Sequence, residues 1–217
     1  MGKKEAMLDE TPPRSSDQES RYAMFDDADE ALEQVIALAE GYDYEVEHSY
    51  QDIHLALRIF DLTASLHGLD DEYRDLLHYA AILHDIGYWY DYENHHKHAF
   101  RMIMEADLPA LTPRGKLIVA NVARYHRSAR PKLKHKGFAA LDPDDQEIVT
   151  RLAAILRFAD GLDRGHVNAV EDLDCQIDGD TVVFTVYPPE GNDLERWAGR
   201  KKSRFFAEVF GVTVMIH

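Results

Sequence analysis

The chain has 217 residues, enough for one domain with a substantial core and too many for a small disulfide-stapled scaffold. It carries 24 Lys and Arg against 40 Asp and Glu, a formal charge of −16, which argues against broad attraction to nucleic acid or to an anionic membrane. Cys175 is the single cysteine, no apolar run approaches the roughly 20 residues of a membrane span, and the first residues lack the apolar segment of a secretory signal, so a reducing, cytoplasmic setting is expected.

Residues 1–24 hold Pro12, Pro13, several serines and mixed charge without an apolar period, and read as a flexible tail. From Asp26, the residues Ala28, Leu32, Val35, Ile36 and Ala39 recur at helical spacing, and Gly41 offers a stop. A second helix is expected from about Glu45 to Leu66, closed by His67-Gly68-Leu69-Asp70, and a third over Glu72–Ile86 with Leu76, Leu77, Ala80, Ala81 and Leu83 inward. Further helical stretches cover His95–Ala106, Thr112–Tyr125 and Asp142–Leu162; Thr112 and Asp142 each place a capping side chain before a proline at the first helical position. After Val167 the pattern becomes β-branched. Asp172–Ile177 and Thr181–Tyr187 flank the turn Asp178-Gly179-Asp180, then come a helix over Asn192–Phe210 and a last strand over Val212–Ile216. The expected fold is mostly α, a helical domain over 25–166 with a small C-terminal α+β subdomain over 167–217 packed on it.

Twelve histidines is a high count, and several fall where a metal could use them. His48 opens the second helix, His84-Asp85 ends the third after the apolar run Tyr79–Leu83, and Asp160 follows Ile155, Leu156, Phe158 and Ala159 on the long helix. Strongly hydrated side chains in such apolar settings need partners. Imidazoles and carboxylates gathered from separate helices suit a hard or borderline divalent ion. His67, His78, His135, His166 and His217 read instead as polar surface, and the aromatic run Tyr88, Trp89, Tyr90 and Tyr92 as packing rather than a base-stacking wall. Cys175, in a strand without a basic neighbour, reads as inert.

Five segments in register, His48, LLHYAAILHDIGY (76–88), NHHKHAF (94–100), VARYHR (122–127) and LAAILRFADGLDR (152–164), resemble the HD superfamily of metal-dependent phosphohydrolases. More narrowly, the chain resembles a stand-alone copy of the helical C-terminal part of the exopolyphosphatase and guanosine-pentaphosphate phosphatase family. The resemblance implies an HD-type helical bundle in which His48, His84, Asp85 and Asp160 hold a first ion. It further implies that His95, preferred over His96 and His98 because Ala99 follows one turn on, and His126 hold a second ion, with Asp85 bridging. His54 is a rival for the first position; His48 is preferred because Leu55-Ala56-Leu57 then falls at the expected distance. The chain departs from the pattern at Asp52, four positions after His48, where the family has an apolar residue.

One or two divalent ions (Mn, Mg, Fe, Co or Zn) so held would activate water against a phosphoester or phosphoanhydride. An anionic substrate needs local cations in so acidic a chain, and Arg124, Arg127, Arg130, Lys132, Lys134 and Lys136 form an acid-free stretch beginning beside His126. Arg127 and Arg130 are the expected phosphate contacts, with Lys97 beside them, and Arg157 or Arg164 would orient Asp160. Asp85, Lys97 and Arg127 are the candidate catalytic residues. The reading is therefore a metal-dependent phosphohydrolase acting on a small phosphorylated molecule, a nucleotide, alarmone or polyphosphate, with homo-oligomerisation left open. The rivals are a non-catalytic polyphosphate- or alarmone-binding regulatory module and a subunit whose metal only staples the bundle.

Overall fold

The computed structural model describes residues 30–42 and 44–217; the tail expected over 1–24 and the start of the first expected helix lie outside the described residues. Helix α1 (Glu30–Glu40) buries Leu32, Val35 and Ala39, three of the residues whose spacing predicts it, together with Ala31. Helix α2 (Val46–Leu62) is followed by a separate turn, α3 (Ala64–His67), where the pattern predicts one helix to Leu66. The break is at Thr63. Its hydroxyl donates to the Ile59 carbonyl at 2.7 Å, a local bond that competes with the helical ladder, and Gly68 then turns the chain at φ +59°.

Helix α4 (Asp71–Leu83) ends three residues before the expected Ile86, and a 3₁₀ turn over Ile86–Trp89 follows. Helices α5 (His95–Glu105), α6 (Pro113–Tyr125), the short α7 (Lys136–Ala139) and α8 (Pro143–Leu162) complete the bundle. The two proline starts are as predicted: Thr112 accepts from the Gly115 N–H and Asp142 from the Asp145 N–H. Helix α8 is the axis of the bundle, buried along most of its length from Ile148 to Leu162 and packed by α2, α4 and α6.

Strands β1 (Asp172–Asp178) and β2 (Thr181–Tyr187) pair antiparallel, and β3 (Thr213–Ile216) adds parallel to β2 after helix α9 (Asp193–Phe210), giving the order β1-β2-β3. Val182, Phe184 and Val186 alternate inward from the central strand, as period-two pleating requires. Phe184 meets Phe158 of α8 at 4.9 Å and Phe206 of α9 at 6.0 Å between ring centroids, so sheet, α9 and α8 share one core. Gly199 permits the close α8–α9 approach: a Cβ there would lie 2.6 Å from a methyl of Leu162. Among the described residues, no helix is long and apolar enough to cross a membrane.

Two histidines expected on the surface are interior. His67 is buried with its Nε2–H donating to the Phe60 carbonyl and its Nδ1 accepting from the Leu69 N–H, and His78 is buried in α4. The period could not place His67 because a neutral imidazole with both nitrogens bonded packs like an apolar ring.

Burial lowers the His67 pKa from its ordinary 6.5. Below that pH the unfolded chain takes up a proton that the fold resists, so this contribution to stability is constant above 6.5 and lost as pH falls through it. In denaturant titrations from pH 8 to 5, the wild type should lose stability faster than His67→Gln. The difference in slope should be at most about 1.4 kcal/mol per pH unit, the limit for one proton; parallel profiles would contradict this assignment.

Candidate functional site

Helix ends supply most of the site. His48 and Asp52 sit one turn apart on α2; His84 follows the last residue of α4 and Asp85 follows His84; His95 opens α5; His126 follows α6; Asp160 lies near the end of α8 and Asp163 just beyond it. All eight are buried, Asp52, His84 and Asp163 completely. His54, the rival for the first position, lies outside this group: it bonds the Glu171 carbonyl at 3.1 Å and lines a separate cleft on the outer side of α2.

Asp85 is the centre. One of its oxygens lies 3.3 Å from His95 Nε2 and 3.5 Å from His126 Nε2; the other lies 3.3 Å from His84 Nε2 and 3.6 Å from His48 Nε2. The opposite nitrogen of each ring is anchored. His84, His95 and His126 direct Nδ1 to the main-chain carbonyl three residues earlier, of Ala81, Tyr92 and Ala123, at 2.6–2.7 Å. His48 Nδ1 lies 2.8 Å from an Asp163 carboxylate oxygen. With Nδ1–H donating, a neutral ring presents the Nε2 lone pair inward, the tautomer a metal requires.

Two observations test whether the donors suit a cation. His95 Nε2 and His126 Nε2 are 3.1 Å apart, and burial lowers both pKa values, that of His126 to about 3, so two lone pairs confront each other. His84 Nε2, one Asp85 oxygen and both Asp52 oxygens are buried without a hydrogen-bond partner among the described residues, an arrangement costly without a counter-charge. His48, Asp52 and His84 form one group whose donor atoms lie within 4.8 Å of one another, and His84, Asp85 and His126 form a second. The donor set fits one or two divalent ions.

The charges agree. Burial opposes the charged forms of His48 and His84, yet the carboxylates around them, Asp52, Asp163 and Asp85 for the first and Asp85, Asp52 and Asp160 for the second, raise them to about 9 and about 10. Burial would likewise raise Asp85, but His84, His126 and His95 hold it well below the usual carboxylate range. Asp160 is held at about 2, against its burial, by Lys202 and then by His126 and His84. Without an ion, protons on His48 and His84 offset the buried carboxylates.

A cleft of about 480 Å³ opens over Asp85, His126 and Asp160. Arg127, Arg130, Arg157, Arg164, Lys201, Lys202 and Arg204 line it, and Asp85 and Asp160 are its acids among the described residues. The expected cations divide. Arg127 lines the cleft and donates to the Glu93 carbonyl at 2.6 Å. Arg130 also lines it but is tied to Glu208 at 2.6 Å and lies over Phe205. Lys97 is not among the lining residues: two positions after His95 it faces away, and it donates to Asn94 Oδ1. Neither Arg157 nor Arg164 pairs with Asp160. Lys202 does, while Arg157 donates to the Tyr125 and Ala129 carbonyls.

Helix α9 thus contributes cations that the first basic stretch leaves unsuspected. Their signal is the run Arg200-Lys201-Lys202-Ser203-Arg204, but only the packing of α9 on α8 directs it to the site. His166 is likewise no plain surface residue: its ring stacks on His48 at 3.8 Å and bonds Glu45. Tyr88 and Tyr92, expected as packing, stack at 5.4 Å and wall the cleft, both partly exposed. Asp163 carries no motif signal that separates it from other helix-end acids.

A family model described as Ppx/GppA phosphatase, domain III, matches residues 32–191. The match runs from α1 to the loop before α9, so Lys201, Lys202 and Arg204 lie beyond it.

Gly87 links fold to site. A Cβ at this position would lie 2.0 Å from the His95 carbonyl oxygen and 2.7 Å from the Ala99 backbone nitrogen, and backbone cannot yield as a side chain can. Gly87→Ala should push α5 and His95 outward, lowering stability by roughly 1–3 kcal/mol, as overpacking does. Chemical denaturation with far-UV circular dichroism should find the helices retained at a lower midpoint.

Proposed function

The chain belongs to the Ppx/GppA phosphatase family, and from this membership and its buried imidazoles and carboxylates we propose that it is a metal-dependent phosphohydrolase. The observation that carries the proposal is Asp85, whose two oxygens face the Nε2 atoms of four oriented histidines in two pairs. The family points to phosphatase activity; the metal, the residues and their roles are our reading. His48, His84, Asp85 and Asp160 would hold one ion and His95, His126 and Asp85 a second, with Mn, Fe, Co or Zn better matched to this nitrogen-rich set than Mg. Divalent ions supply Lewis acidity toward phosphate oxygens and an acidified water.

The chain's own residues do the rest. The carbonyls of Ala81, Tyr92 and Ala123 and the Asp163 carboxylate fix ring direction. Arg127, Arg164, Lys201 and Arg204 line the cleft and offset the charge of a phosphorylated substrate that the acidic exterior repels. A cleft of about 480 Å³ admits a small molecule. Polyphosphate or a guanosine polyphosphate is the class that family membership favours, and the basic lining suits either.

Protein purified without chelator should carry about one to two divalent ions per chain by elemental analysis. With Mn²⁺ it should hydrolyse one member of a panel of phosphomonoesters, phosphodiesters and phosphoanhydrides. Asp85→Ala should lower that turnover at least about a hundredfold, since the loss of one ligand alone weakens a metal site by such factors. A protein that binds these phosphates tightly but never turns them over with any divalent ion would be the regulatory module instead.

Lys201→Ala combined with Arg204→Ala should raise KM at least about tenfold, from roughly 1.5–3 kcal/mol for each charged hydrogen bond to phosphate. Wild-type KM should rise with salt, because exposed charges are screened. An unchanged KM at both low and high ionic strength would assign substrate binding to the centre alone.

A further inference from the structure

Asp52 stands where the family pattern has an apolar residue, yet it is turned inward with no exposed surface. A carboxylate in that setting should be surrounded by donors, as Asp163 is, which has the His48 ring and the Asn168 N–H. Neither Asp52 oxygen has a hydrogen-bond partner among the described residues. Two imidazole nitrogens approach it, His84 Nε2 at 3.3 Å and His48 Nε2 at 3.7 Å. Both rings are held with Nδ1 directed elsewhere, to the Ala81 carbonyl and to Asp163. The carboxylate therefore faces two Nε2 atoms, and a shared cation is what satisfies all three donors at once.

Resting on the reading of the site as a metal centre, we infer that Asp52 is a ligand of the ion held by His48 and His84, a carboxylate this chain adds to the family's set. Asp160, the expected carboxylate there, is occupied by Lys202 at the cleft wall. Asp52 has no exposed surface, is not among the residues lining the cleft, and lies one turn along α2 from His48. The added ligand makes this group richer in carboxylate than the His95–His126 side, and it is one that, unlike His48, Asp85 and Asp160, does not line the cleft. The ion at His48 and His84, with the additional carboxylate, is accordingly the tighter-held of the two, and more open coordination positions are left at His95 and His126.

The test is metal binding, read without turnover. Metal-stripped wild type is titrated calorimetrically with Co²⁺, and Asp52→Asn, nearly isosteric, is titrated in parallel. The tighter wild-type binding event should weaken at least about tenfold in Asp52→Asn, as loss of a ligand does, with the weaker event little changed. Asp52→Cys, of similar size and neutral as a thiol, places a soft donor at the same point. Its Co²⁺ complex should show a sulfur-to-cobalt charge-transfer band that the wild type, with Cys175 remote in β1, lacks. If wild type binds Co²⁺ and the variants bind it equally, with no such band, Asp52 is only a buried neutral acid or the counter-ion of protonated His48 and His84, and this inference alone falls. If wild type binds no Co²⁺, Mn²⁺ or Zn²⁺, the metal centre falls with it.

Discussion

Burying a carboxylate is among the more expensive acts in protein folding unless a charge compensates it, and this bundle buries four at one point. Asp52, Asp85, Asp160 and Asp163 converge between α2, α4 and α8, where, among the described residues, Lys202 is the Lys or Arg that pairs with one of them, Asp160. The remainder must be balanced by protons on His48 and His84 or by bound ions. Much of the neighbouring architecture serves that balance: the early end of α4, the 3₁₀ turn after Asp85, and a glycine that lets α5 deliver His95 at backbone contact distance. An apolar interior of the same shape would not need these features.

The same opposition appears at larger scale. A chain of formal charge −16 exposes a cleft in whose lining arginines and lysines outnumber the acids, Asp85 and Asp160. The acidic exterior does not cancel that local field, because interactions beyond a Debye length of about 8–10 Å are screened in solution. The cleft is thus selected by proximity: an anion that has reached it sees arginines and lysines at short range. Several of those cations are also structural, Arg157 joining α8 to the end of α6 and Arg130 packing on Phe205, so anion binding and core integrity overlap.

The helices with strong apolar period and explicit caps, α6 and α8, were legible from residue order alone, as was the hairpin around Gly179, because their determinants are local. The breaks were less so. Thr63 leaves the helical conformation at the end of α2, with its hydroxyl as well as its N–H on the Ile59 carbonyl, and α4 ends early where His84 and Asp85 turn into the site. The ligand-type residues His48, His84, Asp85, His95 and His126 were readable because their order and spacing carry a family pattern, and the fold brings them together. Lys202, Asp163, His166 and the inward turn of Asp52 were not, since each depends on which distant element lies opposite, and no periodicity encodes that. Lys97 shows the converse: nearness in sequence to His95 put it on the wrong side of α5.

The anchors of the four rings differ in kind. Three are carbonyl oxygens of the main chain, three residues back in the same turn, and every amino acid possesses one. The fourth is the side chain of Asp163, 115 residues from His48. Genetic drift at positions 81, 92 and 123 therefore leaves the ring orientation of their partners intact, provided the turn itself survives. At position 163 a single nucleotide change can misdirect His48 without altering any imidazole. The centre is robust to substitution on three sides and fragile on one, and its evolutionary weak point is a residue that would hold no ion at all.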